Sequence, residues 1–133
     1  MSSTKDPLEG LLLDADEVDR TTVAAVLRDL LGVDSKTGRV VLKPGFSRVT
    51  ARQKMVAYLL GRKAAKLLGK TESEAATVKD VQADTGLPRG TIAPKLRELL
   101  KAKTISQVES GEYYVGPQQV GQAISELRRE AKE

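Results

Sequence analysis

The sequence predicts a mainly α-helical fold that carries one small β-hairpin. Three observations point there. Apolar residues recur at three- and four-residue intervals in several stretches, and Gly, Pro and capping residues punctuate the segments between them. Alternation is confined to short runs, the clearest flanking Ser110-Gly111. With 133 residues, 40% hydrophobic and 30% charged, the chain can bury one core without a metal or disulfide staple.

Taken in order, residues 1–7 are small, polar and closed by Pro7, and Leu8 to Leu13 read as a short helical turn. The acidic cluster Asp14, Asp16, Glu17 and Asp19 ends that turn. Val23, Val26, Leu27, Leu30 and Leu31 then predict a helix over 18–31, with Gly32 as its C-cap and its acids near the N-terminal end, where the dipole favours them. Asp34 to Gly38 reads as a loop, and Arg39 to Leu42 as a short strand stopped by Pro44-Gly45. Thr50 with Gln53 is a capping-box start for a helix running to about Leu68, with Gly69 at its end. Val56, Leu59, Leu60, Ala64 and Leu67 form its apolar side, and Tyr58, Arg62 and Lys66 an exposed stripe beside it.

After a polar loop over 71–76, Thr77 caps a short helix over Val78 to Asp84, with Val81 inward. Thr85-Gly86-Leu87-Pro88 forces a turn, and a further helix runs from near Gly90 to near Ala102 on Ile92, Leu96, Leu99 and Leu100. Pro94 is expected in its first turn, where a missing N–H has no intrahelical partner. Residues 104–109 and 112–115 read as strands about a two-residue turn, Ser110-Gly111. Val120, Ala123, Ile124, Leu127 and Ala131 mark an amphipathic C-terminal helix that either covers the chain's own core or pairs with a second copy.

Absent residue types narrow the chemistry. The chain has no Cys, His, Trp or Asn. Zinc, copper and haem lose their usual ligands, and Ser-His-Asp or Cys-His catalysis is excluded. No enzyme activity, metal or cofactor is expected. The opening MSSTKDPLEG lacks the apolar core of a signal peptide, and no run is long enough to span a membrane, so a cytoplasmic protein is expected. Two motif echoes are rejected. Residues 64–71 match a permissive phosphate-loop pattern but sit at a helix end without a preceding strand, and residues 14–25 lack the Gly and closing Glu of a calcium loop.

Charge is segregated. Residues 1–35 carry −5, residues 36–70 carry ten cations and no acid, and residues 71–133 carry −1. A block of this kind attracts polyanions, unless the acidic first third of the same chain neutralises it.

Residues 77–115 read helix, tight turn, helix, hairpin. That order resembles the winged helix-turn-helix family, through Val78-Lys79-Asp80-Val81, then 85–92 (Thr-Gly-Leu-Pro-Arg-Gly-Thr-Ile), then Leu96-Arg97-Glu98-Leu99-Leu100. The resemblance implies three segments: a helical N-terminal arm with a short strand over 1–45, a winged helix-turn-helix over 46–116 and a C-terminal helix over 117–133. It implies double-stranded DNA binding with the helix at 90–102 in the major groove. Arg89, Gly90, Thr91, Pro94, Lys95, Arg97, Glu98 and Lys101 would form its outward face. Arg89 or Lys95 would read guanine, and Arg97 and Lys101 would meet phosphates. Arg48, Arg52, Arg62 and Lys66 would add phosphate contacts from the preceding helix. A transcriptional regulator or small DNA-organising protein, dimeric through its N- or C-terminal helix, is the expected role. The alternative is a protein-interaction adaptor, which the acidic hairpin tip Glu109-Ser110-Gly111-Glu112 favours.

Overall fold

The computed structural model describes residues 7–8, 20–109 and 111–129. The acidic cluster over 14–19, most of the turn expected over 8–13, and Ala131 lie outside them. The element order is α1 (Arg20–Leu27), β1 (Leu31–Val33), β2 (Val40–Leu42), α2 (Ala51–Leu67), α3 (Val78–Thr85), α4 (Arg89–Lys101), β3 (Ser106–Val108), β4 (Glu112–Tyr114) and α5 (Val120–Arg128). Short 3-10 turns at Pro44–Arg48 and Pro117–Gln119 lead into α2 and α5. The fold is mainly helical with two small antiparallel hairpins, one more than the sequence suggests.

Everything is arranged about α2. The Thr50 hydroxyl accepts from the Gln53 amide at 3.1 Å and the Gln53 side chain accepts from the Thr50 amide at 3.0 Å, so the expected capping box forms. The expected one-sided helix does not. Met55, Val56, Ala57, Tyr58, Leu59 and Leu60 are all 0% exposed, so α2 is covered on every side. Tyr58 therefore belongs to the core and not to an exposed stripe.

The second cover on α2 comes from the N-terminal part of the chain, where the structure differs most from expectation. The first helix stops at Leu27, and Leu31–Val33 is a strand, so Gly32 lies within β1 and caps nothing. Leu31 pairs with Leu42, and Val33 with Val40. Leu31 fits a helical period and a strand alternation equally well; pairing with β2 decides, because it lays Leu31 and Val40 against α2. Gly61 of α2 makes room there, since a Cβ would stand 3.0 and 3.1 Å from the Leu31 methyl groups.

The Thr77 hydroxyl accepts from the Asp80 amide and the Asp80 carboxylate from the Thr77 amide, both at 3.0 Å, and this box starts α3. Gly86, at φ +76°, ends α3 in the left-handed region. α4 begins at Arg89, so Pro94 lies in its second turn and not its first. Proline there has no N–H for the Gly90 carbonyl, and its ring crowds that carbonyl. Ile92, Leu96 and Leu99 are buried as expected.

The hairpin pairs Ser106 with Tyr114 and Val108 with Glu112. Three residues, not two, separate the last pair, with Gly111 at φ +82° supplying the left-handed position that such a loop requires. Ala76 and Tyr113 exchange backbone hydrogen bonds of 2.9 and 2.8 Å, so the loop after α2 adds a one-residue third strand to this hairpin.

Val120, Ala123 and Ile124 of α5 are buried, and the Gln53 side-chain amide donates to the Glu126 and Arg129 carbonyls at 2.9 and 3.0 Å. Of the two uses open to the last helix, its apolar stripe takes the first and lies within the chain's own core. One apolar cluster runs from Val23 through α2 to Ile124.

Candidate nucleic-acid interface

Helix α4 buries Ile92, Leu96 and Leu99 and turns its opposite face outward. Arg89, Gly90, Arg97 and Lys101 are exposed there, Thr91 and Pro94 half so. Arg89, Arg97 and Lys101 make no ion pair with a described residue. Arg97 and Lys101 border a shallow hollow with Pro94 and Leu100. Lys95 is engaged: its ammonium lies 3.2 Å from Glu98.

The start of α4 differs from those of α2 and α3. Pro88 is its N-cap and offers no side-chain acceptor. The Thr91 amide donates to the Pro88 carbonyl at 2.9 Å and is already bonded. A Cβ on Gly90 would meet nothing within 4 Å. Among the described residues no steric contact requires glycine at position 90, and glycine and proline both weaken a helix.

The α2 cations divide. Arg48 is exposed in the 3-10 turn before the helix. Arg52 is held by Glu126 through hydrogen bonds of 3.2 and 2.9 Å, with Glu98 of α4 3.6 Å away. The Glu126 hydrogen bonds raise the Arg52 pKa further above its ordinary value. Arg62 donates to the Glu74 and Ala75 carbonyls at 3.1 and 2.8 Å, and its guanidinium lies 6.0 Å from the Tyr58 ring centre. Lys66 is half exposed and 3.9 Å from Glu74, which also pairs with buried Lys63 at 2.9 Å.

Arg62 and Lys66 thus pin the 71–76 loop. They lie about 15–21 Å along α2 from Arg52, by a rise of ~1.5 Å per residue. Together, the arrangement gathers Arg52, Lys95 and Glu98 at one place, leaves Arg89, Arg97 and Lys101 outward, and removes Arg62 and Lys66 to the far end of α2.

Two features of this surface go beyond the sequence reading, the ion pairs of Glu98 and the backbone at Lys103. Glu98, the one carboxylate of α4, stands between Lys95 of the same helix and Arg52 of α2. Lys103, at φ +64°, closes α4 in the left-handed region, with its amide donating to the Leu100 carbonyl and the Thr104 amide to that of Leu99, both at 3.0 Å. The absence of Gly between α4 and β3 is the signal that marks this position, since helix ends of this form favour glycine.

Behind the surface, the Tyr58 hydroxyl donates to Asp84 at 2.5 Å and Arg39 donates to the other Asp84 oxygen at 2.7 Å. Burial first, and the Asp84 bond second, push the Tyr58 pKa well above its ordinary value. This triad joins the β1–β2 hairpin, α2 and the end of α3. Among the described residues there is no group of three metal-ligating side chains, and no helix long and apolar enough to cross a membrane. No protein-family model, curated protein or solved structure matches the chain.

Proposed function

We propose that the chain is a winged helix-turn-helix protein that binds double-stranded DNA, as a regulator of transcription or a small DNA-organising protein, with no catalysis and no cofactor. The observation that carries the reading is the outward face of α4. Arg89, Arg97 and Lys101 stand there without an acidic partner among the described residues, near a Gly90 whose Cβ position is open. A helix with its N-terminal residues toward base edges and its flanking cations toward phosphates uses such a face. The order α2, bridge strand, α3, turn, α4 and hairpin supports the same reading.

The phosphate contacts fall to Arg89, Arg97, Lys101 and Arg48. Arg52, Arg62 and Lys66 act on the fold instead. Dimer formation, if it accompanies binding, uses a surface other than the buried stripe of α5.

Fluorescence anisotropy of a labelled mixed-sequence duplex across a salt series tests the proposal. Wild type binds with log affinity falling linearly against log salt, and Arg97→Ala/Lys101→Ala makes the slope shallower by about 2. Absence of binding at low salt favours the second reading, a protein-interaction adaptor. The internal pairing of Arg39, Arg52, Lys63 and Lys66 supports that alternative, as do Glu109 and Glu112 flanking the hairpin tip.

A further inference from the structure

On the side of α1, β1 and the C-terminal half of α2 lies a half-open groove of about 520 Å³ that DNA binding does not use. Its walls are aliphatic, formed chiefly by Val23, Leu27, Leu31 and Leu67, and they bear no carboxylate, hydroxyl or amide side chain. Leu68, at the mouth, is 58% exposed. Two guanidinium groups border the opening. Arg20 reaches across to donate to the Leu67 carbonyl at 3.2 Å, and Arg28 is exposed; neither has an acidic partner among the described residues.

The volume falls within the range of small-molecule sites, roughly 300–1,000 Å³. A lining whose only polar side chains are the two rim arginines accepts an apolar body and penalises a polar one along its walls. A rim with two cations and no anion among the described residues rejects a cationic head and attracts an anionic one. We propose that this groove is a binding site for a small amphipathic anion, an aliphatic chain ending in a carboxylate, with the chain along Val23, Leu27 and Leu67 and the head between Arg20 and Arg28.

The test is calorimetric titration of the full chain with decanoate and with decan-1-ol, which shares the chain and lacks the charge. Decanoate binds saturably, about tenfold more tightly than the alcohol, as expected for two solvent-exposed ion pairs. Arg28→Gln narrows that difference to a few-fold. Ala24→Trp, which fills the groove from an exposed position of α1, abolishes binding of both, with circular dichroism confirming the fold; should that variant not fold, Arg28→Gln and the head-group comparison still decide.

Equal affinity for acid and alcohol overturns the anionic head, and unchanged binding in Ala24→Trp overturns the site. No binding of decanoate at millimolar concentration also overturns the proposal. Two further arms then identify the occupant. A dimer in sedimentation that Ala24→Trp converts to monomer assigns the groove to a second copy. Decanoate binding that appears only in Leu12→Asp/Leu13→Asp assigns it to the chain's own N-terminal segment.

Discussion

Glu98 lies 3.2 Å from Lys95 and 3.6 Å from Arg52, and so lowers the positive potential on the outward side of α4. If phosphates approach that side, the carboxylate opposes them. Glu98→Gln therefore raises duplex affinity by roughly threefold at moderate salt, the size of one exposed charge interaction. Anisotropy titration reads it, and weaker binding by the variant contradicts the placement of DNA on this face. Lys103 poses the complementary case. A non-glycine residue at φ +64° carries a strain of about 1 kcal/mol. Lys103→Gly should raise stability by that amount in urea denaturation and reduce duplex affinity by removing a cation two residues beyond Lys101. A variant no more stable than wild type shows that the backbone there is unstrained.

At the scale of elements, local chemistry was legible wherever it determined the outcome alone. Thr50 with Gln53 read correctly as a capping box, Thr77 as a helix cap and the segment around Gly86 as a stop; the Asp80 half of the second box and the left-handed Gly86 emerge only in the structure. What the sequence did not show depends on partners distant in the chain. Leu31 leaves the first helix because β2 pairs with it, and Tyr58 is buried because α3 and the first hairpin meet over it. Arg62 shares a helix face with Lys66, as the spacing says, but the loop over 71–76 folds back onto that face and uses Arg62 as a donor. On α4, Arg89, Arg97 and Lys101 were legible as outward cations from the period of Ile92, Leu96 and Leu99; the pairing of Lys95 with Glu98 was not.

Arg52 shows the same dependence, since its partner Glu126 is 74 residues away on α5. Glu126 is only 4% exposed at its side chain, with Arg129 3.7 Å away as its other cation. Arg52→Ala leaves a buried carboxylate short of its main partner and costs about 3 kcal/mol of stability. Arg52→Ala/Glu126→Ala costs less than the single variant plus Glu126→Ala, and chemical denaturation of the four proteins measures the coupling. Additive losses would mean that the two helices are not joined through this pair.

For the molecule as a whole, a single apolar cluster ties the first hairpin, α2 and the helices of the proposed DNA-binding face together, and the Tyr58–Asp84–Arg39 triad crosses that junction. Its pH dependence follows from the raised Tyr58 pKa. In the unfolded chain the phenol ionises near 10.0, whereas in the fold it stays neutral to higher pH. Protons bound in the folded state exceed those in the unfolded state above pH 10.0, so stability falls as pH rises, by up to about 1.4 kcal/mol per pH unit from this group. Below pH 10.0 the contribution is fully present. Tyr58→Phe is less stable than wild type at pH 8, and the gap between the two shrinks as pH rises past 10.0. Thermal denaturation from pH 8 to 11 reads this convergence; a constant gap means the phenol ionises as readily in the fold as outside it.

The central claim concerns one helix face, and one comparison addresses it most directly: the salt dependence of duplex binding by wild type beside Arg97→Ala/Lys101→Ala. Both side chains are exposed and make no ion pair with a described residue, so the double variant should fold as wild type does. The predicted result is tight, salt-sensitive binding by wild type and a log–log slope shallower by about 2 in the variant. Identical slopes for the two proteins, or no binding by either at low salt, would contradict it.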